Sequence, residues 1–286
     1  MHNPATSRQQ LSEPLTPKAK SRSLGWSVFF LLTVGLTAGW STDAKAESPE
    51  TAPPQLKDTL TQIDAAANRR DIQGVLQFYG ANFNNSDGLT RASMEQALTQ
   101  LWKRYPQLSY RTELQDWKTE GNRIVAETVT YITGNQTGDS KGMKLESSLR
   151  SRQRFDNQKI VQQEILAERS QVTFGANPPS VEVKLPEQVR VGQPFSFDVI
   201  VKEPLGDNLL LGAAVEEAIK PDSYTKPTDF ELELLPAGGI FKLGKAPMSK
   251  QDHWLSAVLI RGDGMTMITQ RLPVVDNSSG AARPSK

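Results

Sequence analysis

The hydrophobic period of this 286-residue sequence changes at Leu108, and that change limits the folds that the chain can adopt. Before it, apolar residues recur every three or four positions, as on one face of a helix: Leu56, Leu60, Ile63 and Ala67. After it, apolar and polar residues alternate, which is the period of a strand with one buried face. The chain is therefore predicted to begin with helices and to continue as β-structure.

Two residues stand where helix N-caps are expected. Asp71 precedes an apolar cluster at 72–79, and Thr90 precedes another at 94–102. Residues 81–88 between them are rich in turn formers and predict a turn. The region 55–176 is thus predicted to hold three helices and then a meander of about four antiparallel strands, which is an α+β fold.

A second boundary, Asn177-Pro178-Pro179, opens a region that contains strand signals alone. About seven short strands separated by Pro and Gly turns predict an all-β sandwich domain over residues 177–276. Residues 47–54 are predicted to be a Pro-rich linker and residues 277–286 a disordered tail.

The first 46 residues have the pattern of a secretory signal peptide. A basic start precedes the uncharged stretch 24–40, and small residues follow it at Ala44 and Ala46. We expect cleavage between Ala46 and Glu47, with export to the periplasm or another extracytoplasmic compartment. The alternative is an uncleaved anchor, because this stretch is at the short end of the roughly 17–25 residues that can span a bilayer.

The residue composition excludes several kinds of chemistry. The sequence has no Cys and two His residues, His2 and His253. It therefore lacks a disulfide, a thiolate nucleophile and a Cys-based metal site. Because His2 lies in the leader, a two-histidine metal site is also excluded, and no cofactor or metal is expected. The net charge of +1 gives no electrostatic basis for binding nucleic acid.

The order of elements in the first half resembles the nuclear transport factor 2-like superfamily, also called SnoaL-like, in its exported bacterial form. The resemblance spans residues 55–176 and rests on the segment Phe78-Tyr79-Gly80-Ala81-Asn82-Phe83, the turn at Gly88 and the capped third helix that ends in Trp102. It implies a curved sheet wrapped around a long helix, forming a cone with a pocket. The region 177–276 is similar in pattern to an immunoglobulin or fibronectin type III sandwich.

Polar residues on the predicted inner face of the meander are the candidate ligand-binding residues: Ser151, Gln153 and Gln163. Buried polar groups need partners, so Ser and Gln are uncommon in a closed apolar core. A cone with room for a polar ligand would explain them, and a half-exposed sheet surface is the alternative. Four aromatic residues are expected to line the mouth of the cone, with packing in the core as the alternative: Tyr79, Trp102, Tyr110 and Trp117.

Arg150, Arg152 and Arg154 recur at every second position, which places them on the opposite face of the same strand. One interpretation is an anion-binding or contact stripe. The other is a solvated face with cross-strand ion pairs, in which a turn centred on Asn157 would pair Arg150 with Glu164.

The predicted function is non-enzymatic binding or assembly, with a small molecule, an envelope protein or a second copy in a homodimer as partner. Contact with a membrane is expected only through an uncleaved leader. The first alternative is an isomerase or hydro-lyase, because enzymes of the resembled superfamily usually hold an Asp or Glu inside the cone. Asp64 is then the candidate base, since Asn82, where members often carry Asp, cannot accept a proton. The second alternative is a structural envelope protein that acts through the sandwich.

Overall fold

The computed structural model describes residues 46–136, 142–204, 206, 209–226, 228–235, 238–262 and 264–276, all of which belong to one compact unit, Thr42–Lys286. The predicted leader up to residue 45 and the predicted tail, 277–286, lie outside the described residues. Export, cleavage after Ala46 and the tail therefore stay predictions.

The helices lie where the hydrophobic period predicts them. In the described part of the chain the α-helices are α1 (Pro54–Asn68), α2 (Ile72–Leu76) and α3 (Arg91–Arg104), and short 3-10 turns cover Pro49–Thr51 and Pro221–Tyr224. The predicted stripe of α1 is buried at Leu56, Leu60 and Ala67, which confirms the period.

Both predicted N-caps are confirmed. The Asp71 side chain accepts a hydrogen bond from the backbone N–H of Gly74 at the start of α2. Thr90 and Ser93 form a capping box at the start of α3, in which each side chain bonds to the backbone N–H of the other residue.

The strands follow one another closely along the rest of the chain. In order they are β1 (Tyr79–Asn85), β2 (Leu108–Glu120), β3 (Arg123–Gln136), β4 (Met143–Asp156), β5 (Lys159–Gly175), β6 (Val181–Lys184), β7 (Val189–Arg190), β8 (Pro194–Val201), β9 (Leu210–Ala218), β10 (Glu233–Leu234), β11 (Gly239–Lys245), β12 (His253–Arg261), β13 (Gly264–Leu272) and β14 (Val274–Val275).

Nine of the described strands form one sheet. Eight of them lie in the order β10-β9-β12-β13-β5-β4-β3-β2, and β1 pairs in parallel with the first part of β5. Among the described residues, a three-stranded sheet β11-β8-β6 and a two-stranded sheet β14-β7 accompany it.

The predicted fold class is wrong. Of the described residues, 54% lie in strands and 19% in helices. A large antiparallel sheet is present instead of the predicted cone of three helices and a curved sheet. That sheet continues past residue 176, because the last part of β5 pairs with β13 from Arg169↔Gln270 to Gly175↔Gly264. An alternating pattern shows which residues share a face, but it does not show which strand will be the neighbour.

The predicted turn at 81–88 is also wrong for most of its length. Residues up to Asn85 belong to β1, which runs parallel to β5 with Tyr79 opposite Ile160 and Asn85 opposite Gln163. Asn and Gly are depleted in strands, so the pairing with β5 outweighs the local preference of these residues.

Buried apolar side chains form separate cores on the two halves of the large sheet. One core packs α1 against β2, β3 and β5, and includes Leu60, Trp117 and Ile160. A neighbouring core lies under α2 and α3 around Trp102. The third packs β8 of the three-stranded sheet against β9, β12 and β13.

The predicted linker is in contact with the large sheet. Glu47 and Trp117 exchange two backbone hydrogen bonds, at 2.7 and 3.2 Å. The indole N–H of Trp117 lies 3.2 Å from the carbonyl oxygen of Ser48, and Ala52 is buried. Residues 47–52 therefore pack along β2.

Candidate functional site

The predicted ligand-binding residues of β4 and β5 form a buried polar cluster together with a threonine of β3. We call Thr128, Ser151, Gln153 and Gln163 the interior polar cluster. The Ser151 hydroxyl lies 3.3 Å from the Thr128 hydroxyl and accepts hydrogen bonds from both glutamine amides, at 3.4 and 3.3 Å. Within the described residues, Oε1 of Gln153 has no hydrogen-bond partner.

The aromatic residues predicted at the mouth lie in the cores. Trp102 and Tyr110 are both buried, and the indole N–H donates a 2.7 Å hydrogen bond to the Tyr110 hydroxyl. Tyr79 is half-buried and packs edge-on against Phe83. Burial, and secondarily the nearby Asp64 carboxylate, raise the pKa of Tyr79 to about 12. These side chains therefore act as packing groups.

The candidate base Asp64 is tied to β2. Its two carboxylate oxygens accept hydrogen bonds from the backbone N–H and from the hydroxyl of Thr112, at 2.6 and 2.7 Å. Thr112 in turn contacts the Thr130 hydroxyl at 3.0 Å. This arrangement joins α1 to the sheet and leaves Asp64 half-buried rather than in solvent.

The three predicted stripe arginines, Arg150, Arg152 and Arg154, each contact a carboxylate. The Glu127 carboxylate lies between Arg150 at 2.8 Å and Arg152 at 2.5 Å, and Arg152 also contacts Glu164 at 2.8 Å. Arg154 contacts Glu120 at 2.9 Å. The stripe is thus a ladder of ion pairs on one face of the sheet.

The predicted pairing of Arg150 with Glu164 is wrong. Two bulges shift the register of β4 against β5, so that Arg152 lies opposite Glu164 and Arg150 opposite Ala167. The turn itself consists of Asn157 and Gln158, both with positive φ. An alternating sequence gives no sign of an extra residue that bulges out of the ladder.

A large cleft lies on the face of β4 and β5 that carries Arg150. It has a volume of about 1320 Å³, and the segments around residues 187, 220, 250 and 274 form its other walls. Cationic residues of its lining are Arg150, Arg169, Lys220, Lys250 and Arg271. Sequence reasoning did not find this cleft, because its walls come from parts of the chain more than 100 residues apart.

A buried arginine lies in the lining of the cleft. The Arg271 side chain is 0% exposed, and its guanidinium donates two hydrogen bonds to Asp87, at 3.0 and 2.6 Å, and one to Asp252, at 2.9 Å. Glu168 lies 3.5 Å from the same guanidinium. We call Arg271, Asp87, Asp252 and Glu168 the Arg271 cluster.

Two aromatic side chains complete the contacts of this cluster. The Tyr224 hydroxyl donates to Asp87, and the Trp254 indole N–H donates to Glu168 at 2.8 Å. The two rings pack edge to face with centroids 4.9 Å apart. Trp254 lies directly opposite Arg271 on the neighbouring strand, so the β12–β13 pairing fixes both residues.

The loop after β1 positions Asp87. The Asn85 side chain accepts hydrogen bonds from the backbone N–H groups of Asp87 and Leu89, at 3.1 and 2.7 Å. Gly88 follows with a φ of +82°, and an added Cβ would lie 3.2 Å from Pro221. Glycine is therefore favoured here both by the backbone conformation and by the space.

The surroundings of the cluster change the pKa of its members. Burial raises the pKa of the Glu168 carboxyl, although the charge of Arg271 acts in the opposite direction. Burial acts to lower the pKa of Arg271, but the hydrogen bonds to Asp87 and the surrounding carboxylates raise it overall. Burial and the charges of Glu168 and Asp87 also raise the pKa of the Tyr224 hydroxyl.

The described residues contain no group of three or more His, Asp or Glu side chains placed to hold a metal ion. In the same part of the chain, none of the helices has the length and apolar character needed to cross a bilayer.

Comparisons with known proteins match parts of the chain. A family model described as a domain of unknown function (DUF8623) matches residues 176–275. No curated protein matches the chain.

Several solved structures are similar to part of the structure. AclR from Streptomyces galilaeus, a proposed hydroxylase, is 19% identical, with 39% of this chain and 77% of AclR covered and a TM-score of 0.31. A cystatin-fold protein from Novosphingobium aromaticivorans is 16% identical, with 40% of this chain and 98% of that protein covered and a TM-score of 0.30. An NTF2-like protein from Cytophaga hutchinsonii is 12% identical, with 40% of this chain and 91% of that protein covered and a TM-score of 0.25.

Two of these neighbours are described as a cystatin-fold protein and an NTF2-like protein. The TM-scores are too low to carry an argument about the fold or the activity of this chain, so the resemblance of residues 55–176 stays a prediction. The immunoglobulin-like resemblance of residues 177–276 stays a prediction.

Proposed function

We propose that this protein is an exported, non-catalytic binding or assembly protein that holds an acidic segment of an envelope protein in the large cleft. The observation that carries the proposal is the cleft itself, with its volume of about 1320 Å³ and its cationic side chains. Binding sites for small molecules usually measure about 300–1,000 Å³. The larger size and open walls of this cleft favour a polypeptide segment over a small molecule.

The charges that line the cleft favour an acidic partner. Arg169, Lys220 and Lys250 are exposed, and none of them lies in an ion pair with another described residue. The exposed acidic residues of the lining are Glu187 and Glu164, and Glu164 is paired with Arg152. Asp87, Asp252 and Glu168 share the single guanidinium of Arg271 and are less exposed than the three cations, so the positive charge lies toward the open side of the cleft.

The contacts of two carboxylates, those of Asp64 and Glu127, favour a structural role for them. Asp64 is engaged by Thr112, and Glu127 by two arginines. A general base must lie within hydrogen-bond reach of the proton that it removes. Both of these carboxylates instead bond to donors of the fold itself.

The test places a photoreactive amino acid at position 250 of the protein in its own envelope fraction. The matched control carries the same group at Asp58, which is exposed on α1. We expect an adduct of discrete mass from position 250 alone, lost when Arg169→Glu and Lys220→Glu reverse the charge of the cleft. Adducts of equal yield at both positions, or an adduct that survives charge reversal, would contradict the proposal.

The second candidate function is acid–base catalysis of the isomerase or hydro-lyase type, with Glu168 as the acid. One observation favours it: this carboxyl lines the cleft, and burial raises its pKa. Incubation with a metabolite extract in deuterium oxide tests it, because such an enzyme exchanges a carbon-bound proton. Proton exchange that occurs with the unaltered protein and is abolished in Glu168→Gln would establish catalysis. The binding proposal instead expects no exchange, and it expects Glu168→Gln to form the same photoadduct as the unaltered protein.

A further inference from the structure

The large hydrophobic side chains that the described residues leave strongly exposed all lie between residues 209 and 248. Four of them surround the end of the nine-stranded sheet: Leu209, Leu211, Leu232 and Leu234. Leu209 is 71% exposed and Leu234 57%. Exposed apolar residues are ordinary when scattered singly, but a group of them marks an interaction surface.

The same residues lie at a free sheet edge. β10 is the last strand of the sheet and pairs with β9 on one side, with Leu234 opposite Leu211. No described strand pairs with its other side. The unpaired backbone groups of such an edge can accept another strand, and β10 offers a short edge because it is two residues long.

The hydrogen-bond pattern shows which backbone groups are available. The N–H of Leu235 donates to the carbonyl of Leu210 at 2.8 Å. Hydrogen-bonded and non-hydrogen-bonded pairs alternate along an antiparallel ladder. Leu234 therefore belongs to a non-hydrogen-bonded pair, and its N–H and C=O point away from β9 toward the free edge.

The charge of the edge indicates which kind of partner can bind there. Asp229, Glu231 and Glu233 alternate with the apolar residues; all three are exposed, and none of them forms an ion pair within the described part of the chain. A second copy would bring the same acids to the interface, and like charges on facing strands are destabilising. An anionic lipid surface would be repelled for the same reason.

We propose that β10 accepts, as an added strand, an extended segment of a partner protein whose side chains alternate between apolar and basic. The outward backbone groups of Leu234 would pair with this segment. Its apolar side chains would cover the exposed leucines, and its Lys or Arg side chains would meet Glu231 and Glu233. This surface is separate from the cleft, so the proposal does not depend on the function proposed above.

The experiment measures binding of a short synthetic peptide in which Val and Lys alternate, with a Val and Glu peptide for comparison. We expect the protein to bind the Val/Lys peptide alone. The double variant Glu231→Lys/Glu233→Lys should weaken that binding by about tenfold or more and should gain binding of the Val/Glu peptide. The control variant Asp58→Lys/Glu182→Lys makes the same change in net charge on α1 and β6 and should bind like the unaltered protein.

A second variant tests the backbone contribution. Leu234→Pro removes an outward N–H that β9 does not use, so it should weaken peptide binding while circular dichroism stays unchanged. Equal binding of both peptides, or of neither, overturns the proposal. The proposal is also overturned if sedimentation shows a dimer that Leu234→Pro dissociates, because the edge would then be occupied by a second copy of the chain.

Discussion

Arg271 and Asp87 lie 184 positions apart in the sequence, and the guanidinium of the first donates two hydrogen bonds to the carboxylate of the second. The contact joins the end of β13 to the loop after β1. Bidentate pairing of this kind is strong because both hydrogen bonds are assisted by charge. It holds together two parts of the structure that the sequence assigns to different domains.

Replacement of Arg271 by Met should destabilise the protein strongly. The variant leaves the Asp87 and Asp252 carboxylates without their partner at a buried site, which typically costs about 3–5 kcal/mol. Urea unfolding measures the loss. The control is Arg169→Met, an exposed arginine without an ion pair, for which we expect a change within about 0.5 kcal/mol. Equal stability of the two variants would mean that the cluster contributes nothing to the fold.

Glu168 should make the fold less stable as pH rises. Its pKa in the folded protein is above the unfolded value of about 4.3, so the folded state holds the proton more tightly. The stabilisation is complete below the unfolded pKa and is lost as pH rises through the folded pKa. The urea midpoint of Glu168→Gln should therefore change less with pH across this window than the midpoint of the unaltered protein. A parallel pH dependence in the two proteins would contradict this assignment.

Glu127 should have the opposite pH dependence. Burial alone would raise its pKa, but the hydrogen bonds and charges of Arg152 and Arg150 hold it below the usual range. Its stabilisation is present above the unfolded pKa and is lost as pH falls through the folded pKa. Glu127→Gln should cost about 1 kcal/mol near pH 7, and the deficit should shrink in acid. A deficit that is constant with pH would point to packing instead.

The interior polar cluster should respond unequally to two substitutions. Gln153→Met removes a buried carbonyl oxygen that has no partner among the described residues, so we expect a change in unfolding free energy of less than about 1 kcal/mol. Ser151→Ala removes the shared acceptor of two amides and should cost about 1–3 kcal/mol. Chemical denaturation compares them. A large loss in Gln153→Met alone would show that its carbonyl binds a water or a ligand.

The local features of the fold were predictable from the sequence. The apolar spacing from Leu56 to Ala67 identifies α1, and the caps at Asp71 and Thr90 mark the starts of α2 and α3. Each of these signals depends on residues within a few positions of one another. The alternation around Ser151 and Gln153 likewise predicted that the two side chains share one face of β4, which is its buried face.

The long-range features were not predictable in this way. Nothing near Gly175 indicates that β5 will pair with β13, and nothing near Asn85 indicates a strand beside β5. The Arg271 cluster was missed because its members come from distant segments. The one available signal was the presence of Arg271 within an otherwise uncharged run of residues, 264–275.

The position of β5 in the sheet affects the order in which the strands can pair during folding. Its last part stays unpaired on one side until β13 is available, nearly 100 residues later in the chain. Pairings of such long sequence separation form slowly, and an unpaired strand edge is prone to aggregation in the meantime. A folding intermediate in which β13 has not yet paired exposes this edge, so rapid completion of the carboxy-terminal hairpin would protect it from aggregation.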